Sequence, residues 1–125
     1  MSPLEWTLLV VAGGLGAGGR YLLDGFVMKG RRGAFPLGIL VVNATGSFLL
    51  GLLTGFGTTV APEWLAILGV GMLGGFTTFS TVSAETVLLA QRGRREWAWL
   101  NLLGTLVVCV VAAALGILLG GLFPR

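Results

Sequence analysis

Ionisable side chains are scarce in this sequence. It contains no histidine and one cysteine, Cys109, and only 10% of its 125 residues are charged. A single cysteine cannot close a disulfide within the chain, and the absence of histidine removes the commonest general base and metal ligand. No pairing of a nucleophile with a base, and no cluster of metal ligands, is visible in the sequence. We therefore expect no enzyme activity.

Hydrophobic residues make up 55% of the sequence, and its mean hydropathy is +0.95. This composition predicts an integral membrane protein. A helix crosses the hydrocarbon core, about 30 Å thick, with roughly 20 apolar residues. Four stretches of this kind lie at about residues 6–23, 35–59, 64–90 and 97–123. We predict an all-α protein in which residues 1–125 form one domain of four transmembrane helices, with loops too short for a soluble domain.

The first of these stretches does not have the features of a signal peptide. Residues 1–6 include Glu5 and no basic residue, whereas a signal peptide begins with a positively charged region. We therefore expect the stretch to be retained as the first membrane span.

Basic residues are unevenly distributed across the predicted topology. The positive-inside rule places the first and third loops in the cytoplasm and both termini outside. We interpret the basic loops as topology signals that also contact lipid headgroups. We therefore expect membrane lipid, and not nucleic acid, to be a partner. The cytoplasmic side carries Arg20, Lys29, Arg31, Arg32, Arg92, Arg94 and Arg95, and the other side carries only Arg125.

Glycine is abundant, with 22 residues, and each predicted span contains two glycines four positions apart. Such pairs lie on one helix face and let two helix backbones approach closely. They predict a compact bundle. Because four short helices enclose little interior, we expect an aqueous pathway to require a second subunit, and hence a dimer. The pairs are Gly14 with Gly18, Gly51 with Gly55, Gly71 with Gly75, and Gly116 with Gly120.

The third predicted span is unusually polar at its centre, where residues 71–83 read GMLGGFTTFSTVS. Gly74 and Gly75 lower helix stability, and the hydroxyls of Thr77 and Thr78 can bond to backbone groups that unwinding frees. This pattern predicts a break near the middle of the third helix. Unwound carbonyls are suitable ligands for a hard cation, so we also expect a buried monovalent cation there.

Two other spans carry polar residues at helical spacing. Asn43 and Ser47 stand four residues apart in the second span, and Asn101, Thr105 and Cys109 repeat at the same spacing in the fourth. Any one hydroxyl can simply bond to a backbone carbonyl of its own helix. An amide inside a membrane needs several partners, which makes Asn43 a candidate functional residue.

The chemistry of the spans favours a small anion as the transported solute. Arg20 and Glu85 are the only charged residues within the predicted spans, and Glu85 alone could be the central titratable group that a proton-coupled exporter needs. Neutral hydroxyls and amides can replace the hydration shell of an anion without trapping it. The positive edges of phenyl rings, such as those of Phe76 and Phe79, can contribute to the same site.

Three motifs lie in the first three predicted spans: GGLGAGGRY at residues 13–21, GILVVNATGSFLLG at 38–51 and GGFTTFSTVSAET at 74–86. On these motifs the chain resembles the Fluc (CrcB) family of fluoride channels, small four-helix proteins that work as dimers. The resemblance implies an antiparallel, dual-topology-type dimer in the plasma membrane, with broken third helices crossing at the two-fold axis. It also implies passive export of cytoplasmic fluoride through two pores at the dimer interface.

The resemblance implies roles for individual residues. A structural sodium ion on the dimer axis would be held by backbone carbonyls of Gly74 and Thr77. Arg20 and Asn101 would lie in or near a vestibule. The pore would be lined by Asn43, Phe79, Ser80, Thr81, Val82, Thr105 and Cys109.

The sequence departs from the family pattern at two pore positions. Val82 stands where a second phenylalanine is usual, and Cys109 replaces a hydroxyl with a weaker donor. The strong charge bias also favours a single orientation. These features leave two assemblies open: a homodimer that tolerates valine, or a heterodimer with a homologous, oppositely inserted subunit and one complete pore. A small multidrug-resistance-type exporter is a further alternative, but it relies on a glutamate in its first span, and residues 6–23 contain no acid.

Overall fold

The computed structural model describes residues 1–31 and 35–124, and no strand occurs in these ranges. Arg32 and Arg125, which contribute to the predicted charge bias, lie outside the described residues. Four helices are long and apolar enough to cross a membrane, which confirms the prediction of an all-α, multi-pass membrane protein. We name them the first span (Pro3–Met28), the second span (Leu37–Gly55), the third span (Pro62–Gln91) and the fourth span (Arg95–Gly121).

The first span is longer at both ends than the apolar stretch at 6–23. At its start Ser2 Oγ accepts a hydrogen bond from Glu5 N (3.2 Å), and Glu5 Oε2 accepts one from Ser2 N (2.7 Å). This capping box satisfies two backbone donors at the helix start, and Pro3 at the first helical position has no donor to satisfy. At the other end the helix continues through Asp24 to Met28. Hydropathy locates the apolar section of a helix, whereas caps determine where it begins.

The second and fourth spans pack closely because glycines line their contact. A Cβ atom on Gly51 would overlap the carbonyl oxygen of Ala113, and one on Gly116 would overlap that of Phe48. One turn further along, a Cβ on Gly120 would come within 2.5 Å of Leu52 O. Any larger residue at these positions would separate the two backbones. The close crossing predicted from the glycine spacing is therefore present between these two spans.

The third span is the least regular of the four. An α-helical turn, Pro62–Trp64, leads into a π-helical segment, Leu65–Leu73, and then into the turn Gly74–Phe76. Thr77 follows with an extended backbone (φ −79°, ψ 155°), and α-helical structure starts again with Ser80–Gln91. Residues 77–79 therefore belong to neither helical piece, although Phe79 keeps helical dihedral angles (φ −89°, ψ −35°).

The third span changes its packing partner at the same point. Residues 65–76 pack mainly on the first span, where a Cβ on Gly16 would overlap Met72 O and one on Gly75 would overlap Gly13 O. Ser80–Gln91 packs mainly on the fourth span. The non-helical residues thus connect two helical pieces that are held by different neighbours.

We predict that Gly116→Ala destabilises the protein by about 1–3 kcal/mol, because the added methyl group forces the second and fourth spans apart. Gly104→Ala is the matched control on the same helix, since its Cβ would meet nothing nearer than a Leu100 methyl at 3.8 Å. Its effect should stay within about 0.5 kcal/mol. Thermal unfolding in detergent, followed by circular dichroism, measures both. Equal free energies of unfolding for the two variants would show that the backbones of the second and fourth spans do not approach closely at Gly116.

Candidate functional site

A cavity of about 570 Å³ lies between the second, third and fourth spans, beside the non-helical residues 77–79. Its wall is mostly apolar, but several polar groups reach it from different helices, and no charged residue lines it. Ser47 and Thr78 are part of the lining. So are seven of the eleven residues predicted to form the functional site, namely Asn43, Gly74, Thr77, Phe79, Val82, Thr105 and Cys109.

Asn43 holds the non-helical segment against the second span. Its Oδ1 accepts a hydrogen bond from Thr78 N (2.8 Å), and its Nδ2 donates one to Thr78 O (2.9 Å). Both residues are buried, with exposed fractions of 7% and 8%. The carboxamide therefore satisfies the backbone groups that a continuous helix would pair internally. Within the described part of the chain, Asn43 Nδ2 makes one hydrogen bond, which leaves its second proton for another partner.

Gly46 allows this approach. It lies three residues after Asn43, and a Cβ atom there would overlap the methyl group of Thr77 and come within 3.3 Å of the Phe76 ring. The space that a side chain would occupy is instead taken by the side chains of Phe76 and Thr77. The motif around Asn43 therefore supplies both the hydrogen-bonding group and the gap beside it.

The hydroxyl of Thr78 is a second point of contact. Thr78 Oγ1 accepts a hydrogen bond from Thr81 N (3.2 Å), a backbone donor in the first turn of the helix Ser80–Gln91. It also lies within hydrogen-bond distance of Ser80 Oγ (3.2 Å) and Thr81 Oγ1 (3.1 Å). Ser80 and Thr81 do not line the cavity themselves. They are connected to it through Thr78.

Other hydroxyls in the spans bond to their own helices. Thr77 Oγ1 donates to Leu73 O (2.8 Å) and Thr86 Oγ1 donates to Val82 O (2.7 Å). Ser83 Oγ donates to Phe79 O in the same way (3.0 Å). These hydroxyls behave as expected for a polar group that only has to be satisfied in a membrane. Ser80 and Thr81 differ because their partner is another hydroxyl.

Asn101 joins the fourth span to the third. Its exposed fraction is 2%, and its Nδ2 donates to Thr86 Oγ1 (2.9 Å), with Val82 O at 3.4 Å. It does not line the cavity, and neither does Arg20, which is half-buried in the first span. The assignment of these two residues to a vestibule stays a prediction.

Phe79 and Val82 occupy contrasting environments. The Phe79 side chain is 77% exposed, although it lines a cavity at the centre of the chain, whereas Val82 is only 4% exposed. The ring of Phe79 therefore lies at the open side of the cavity, and Val82 forms part of its inner wall. A single chain leaves this side uncovered.

The predicted cation ligands Gly74 and Thr77 both line the cavity. The described residues contain no group of three histidine, cysteine, aspartate or glutamate side chains that could hold a metal. A cation at this position would therefore rely on backbone carbonyls. The extended conformation of Thr77 removes its carbonyl from regular helical pairing.

The sequence indicated that the Thr78 hydroxyl could bond to a freed backbone group, but it did not predict the contact of Thr78 with Asn43 or that of Thr86 with Asn101. Two threonines that follow two glycines indicate a break. They do not indicate that the Thr77 hydroxyl bonds to its own helix, at Leu73 O, while the Thr78 hydroxyl contacts those of Ser80 and Thr81. The contact between Asn101 and Thr86 could not be predicted either, because the two residues lie 15 positions apart in the sequence.

Comparison with known proteins identifies the family to which this chain belongs. The family model described as CrcB-like protein, Camphor Resistance (CrcB), matches residues 7–117. A protein of Leifsonia xyli named fluoride-specific ion channel FluC 1 is 48% identical over 124 residues, which cover 98% of this chain and 90% of that protein.

Proteins of the same name in other organisms are also similar to this chain. Fluoride-specific ion channel FluC of Shewanella amazonensis is 43% identical over 112 residues, covering 87% of this chain and 90% of that protein. The protein of the same name from Pyrococcus abyssi is 42% identical over 115 residues, covering 90% and 92%. Since the family model and these relatives both extend over nearly the whole chain, the four spans and the cavity beside Thr78 belong to a member of the CrcB family, a family of fluoride channels rather than enzymes.

Proposed function

We propose that this chain is a subunit of a fluoride channel that lets cytoplasmic fluoride leave the cell passively across the plasma membrane. One observation carries the proposal: an uncharged cavity brings together the amide of Asn43, the ring of Phe79 and the hydroxyl of Thr105 from three different spans. The names of the relatives support fluoride as the ion.

The cavity chemistry suits an anion that must pass rather than stay. A fixed positive charge would bind fluoride tightly and slow its departure, whereas neutral donors and a ring edge offer several weaker contacts in sequence. The second Nδ2 proton of Asn43, the thiol of Cys109 and the hydroxyl of Thr105 can make such contacts. Hydrofluoric acid that leaks inward dissociates in the more alkaline cytoplasm, and the channel returns the trapped anion.

The finer architecture is also part of this proposal. Because Phe79 is 77% exposed beside an open cavity, a second subunit inserted antiparallel would cover that side and complete two pores at the interface. The third helices, broken at residues 77–79, would cross at the two-fold axis. A sodium ion held there by the carbonyls of Gly74 and Thr77 would bind both subunits together.

Two features favour a heterodimer as the alternative assembly. Val82 lacks the ring edge of the second family phenylalanine. The basic residues Lys29, Arg31, Arg92, Arg94 and Arg95 are exposed in the first and third loops or at the adjoining helix ends, and this charge bias favours a single orientation of the chain. A homologous, oppositely inserted partner would then supply the missing ring and complete one pore.

The chain purified alone and reconstituted in liposomes should release fluoride much faster than chloride. A fluoride electrode and a chloride electrode, applied to liposomes loaded with both salts, make the comparison in one sample. Rapid fluoride efflux without any second protein would exclude an obligate heterodimer. Efflux of both anions at the same rate would contradict a fluoride channel, and a lack of efflux from the lone chain would contradict the homodimer.

Phe79→Ile should reduce fluoride efflux by about tenfold, the effect of losing an aromatic contact of about 1.4 kcal/mol. The fold should persist because this side chain is 77% exposed. Phe26→Ile is the matched control, since Phe26 is 78% exposed in the first span and does not line the cavity. Efflux rates of the two variants relative to the unmodified chain are the measurement. A role for the Phe79 ring in conduction is excluded if both variants conduct alike.

Val82→Phe tests whether the valine limits conduction. If the homodimer has two pores that each lack one ring edge, the added ring should increase fluoride efflux from liposomes by a few-fold, because it restores a contact to the anion. The cavity beside Val82 gives the larger side chain space. Reduced efflux with an unchanged elution volume on size exclusion would show instead that this chain is adapted to valine.

A further inference from the structure

Ser47 places a hydroxyl in the cavity that bonds to no other described residue. It is half-buried in the second span and lines the cavity. Its Oγ makes no hydrogen bond within residues 1–31 and 35–124. A serine or threonine in a membrane helix usually bonds to the carbonyl four residues before it, as Thr54 does in the same span at Leu50 O (2.8 Å). The Ser47 donor is therefore available to a solute in the cavity.

The location of Ser47 distinguishes it from most other hydroxyls that have no partner. Thr45 and Thr58 also make no hydrogen bond to another described residue, but both are exposed. Ser47 and Thr105 are half-buried, and both line the cavity. Burying a hydroxyl without a partner costs free energy. These two hydroxyls therefore favour a solute in the cavity as their partner, and Thr105 already belongs to the predicted pore.

Glycine contacts determine how the second span is aligned with the fourth. A Cβ on Gly51 would overlap the carbonyl oxygen of Ala113. Four residues later on both helices, a Cβ on Gly55 would lie 2.5 Å from the carbonyl oxygen of Ile117. The two spans therefore run in the same direction along this contact, and positions on one helix can be matched to positions on the other.

This alignment brings Ser47 to the section of the fourth span that carries Cys109. Counting back four positions from Gly51 and from its contact on the fourth span gives Ser47 and Cys109. Both line the cavity, so a hydroxyl and a thiol face one section of it from two helices. Ser47 is also about 6 Å further along the second span than Asn43, which is four residues before it. An ion that leaves the Asn43 amide toward this section meets these two groups next.

We propose that Ser47 is a further anion-binding residue, whose hydroxyl supplies the strong donor that Cys109 lacks in this section of the pore. The inference rests on the proposed function and deepens it. A thiol is a weak donor, whereas a hydroxyl that donates to an ionised acceptor makes a short, strong hydrogen bond. The fourth span alone would offer a passing fluoride ion only the thiol here. Ser47 provides the missing donor from the second span.

Ser47→Ala should reduce fluoride efflux from liposomes by about tenfold, the effect of losing one hydrogen bond to a charged group. Alanine is small and favours helix, so the crossing of the second and fourth spans should persist. Thr45→Val is the matched control, because its hydroxyl also has no described partner but is exposed and does not line the cavity. Thr45→Val should conduct like the unmodified chain.

Cys109→Ser tests whether the two positions serve the same ion. In the Ser47→Ala background it returns a hydroxyl to this section from the other helix, and it should recover most of the lost efflux. In the unmodified chain Ser47 already donates, so the same change should raise efflux by less than about twofold. The four efflux rates form a double-mutant cycle. A purely structural role of Ser47 predicts no recovery, because an oxygen at position 109 would not repair packing at position 47.

Ser47→Cys is a second variant at the same position. It keeps nearly the size of serine and replaces the hydroxyl with a thiol, so it should lose efflux as Ser47→Ala does. The elution volume on size exclusion shows which variants assemble. Ser47→Cys therefore decides the question even if Ser47→Ala does not assemble.

The outcomes separate the inference from the function it rests on. Unchanged efflux in an assembled Ser47→Ala or Ser47→Cys variant overturns the role of Ser47 and leaves a conducting channel. An equal gain from Cys109→Ser in both backgrounds also overturns it, because the two positions would then act independently. An unmodified chain that conducts no fluoride, alone or with a homologous subunit, overturns the proposed function and the inference with it.

Discussion

The structure depends on one requirement: backbone groups inside a membrane must be bonded to protein, because lipid offers no substitute. At Thr77 and Thr78 the chain is outside the helix, and the carboxamide of Asn43 bonds to both the N–H and the C=O of Thr78. The two bonds fix the segment against the second span. That position in turn determines where the ring of Phe79 emerges and where the helix Ser80–Gln91 begins. The same amide that is a candidate anion contact is thus a structural group first.

Glycine makes this arrangement geometrically possible. Because Gly46 has no side chain, the side chains of Phe76 and Thr77 reach the second span, and Gly51 and Gly116 let the fourth span pack closely against the same helix. Close backbone approach is the usual source of stability between helices in lipid, where burial of apolar surface provides little. The cavity remains because the third span diverges at the residues where glycine and threonine replace larger apolar side chains.

Much of this could be predicted from residue types alone. Long apolar stretches predict the four spans, and the polar run at 71–83 marks the place where helical structure stops. What sequence could not supply was pairing across spans. The capping box at Ser2 extends a helix beyond its apolar section, and the π-helical geometry of Leu65–Leu73 has no distinct residue pattern. Asn101 is buried against Thr86, a contact that depends on how two helices rotate about their own axes, which periodicity does not specify.

The change of packing partner along the third span has a mechanical consequence. Residues 65–76 pack on the first span, whereas Ser80–Gln91 packs on the fourth span, which contacts the second span through glycines. The described helices therefore form two groups, which are linked by residues 77–79 and also touch where the first span meets the second. Residues of both groups line the cavity. A change in the angle between the two groups would therefore change the width of the cavity.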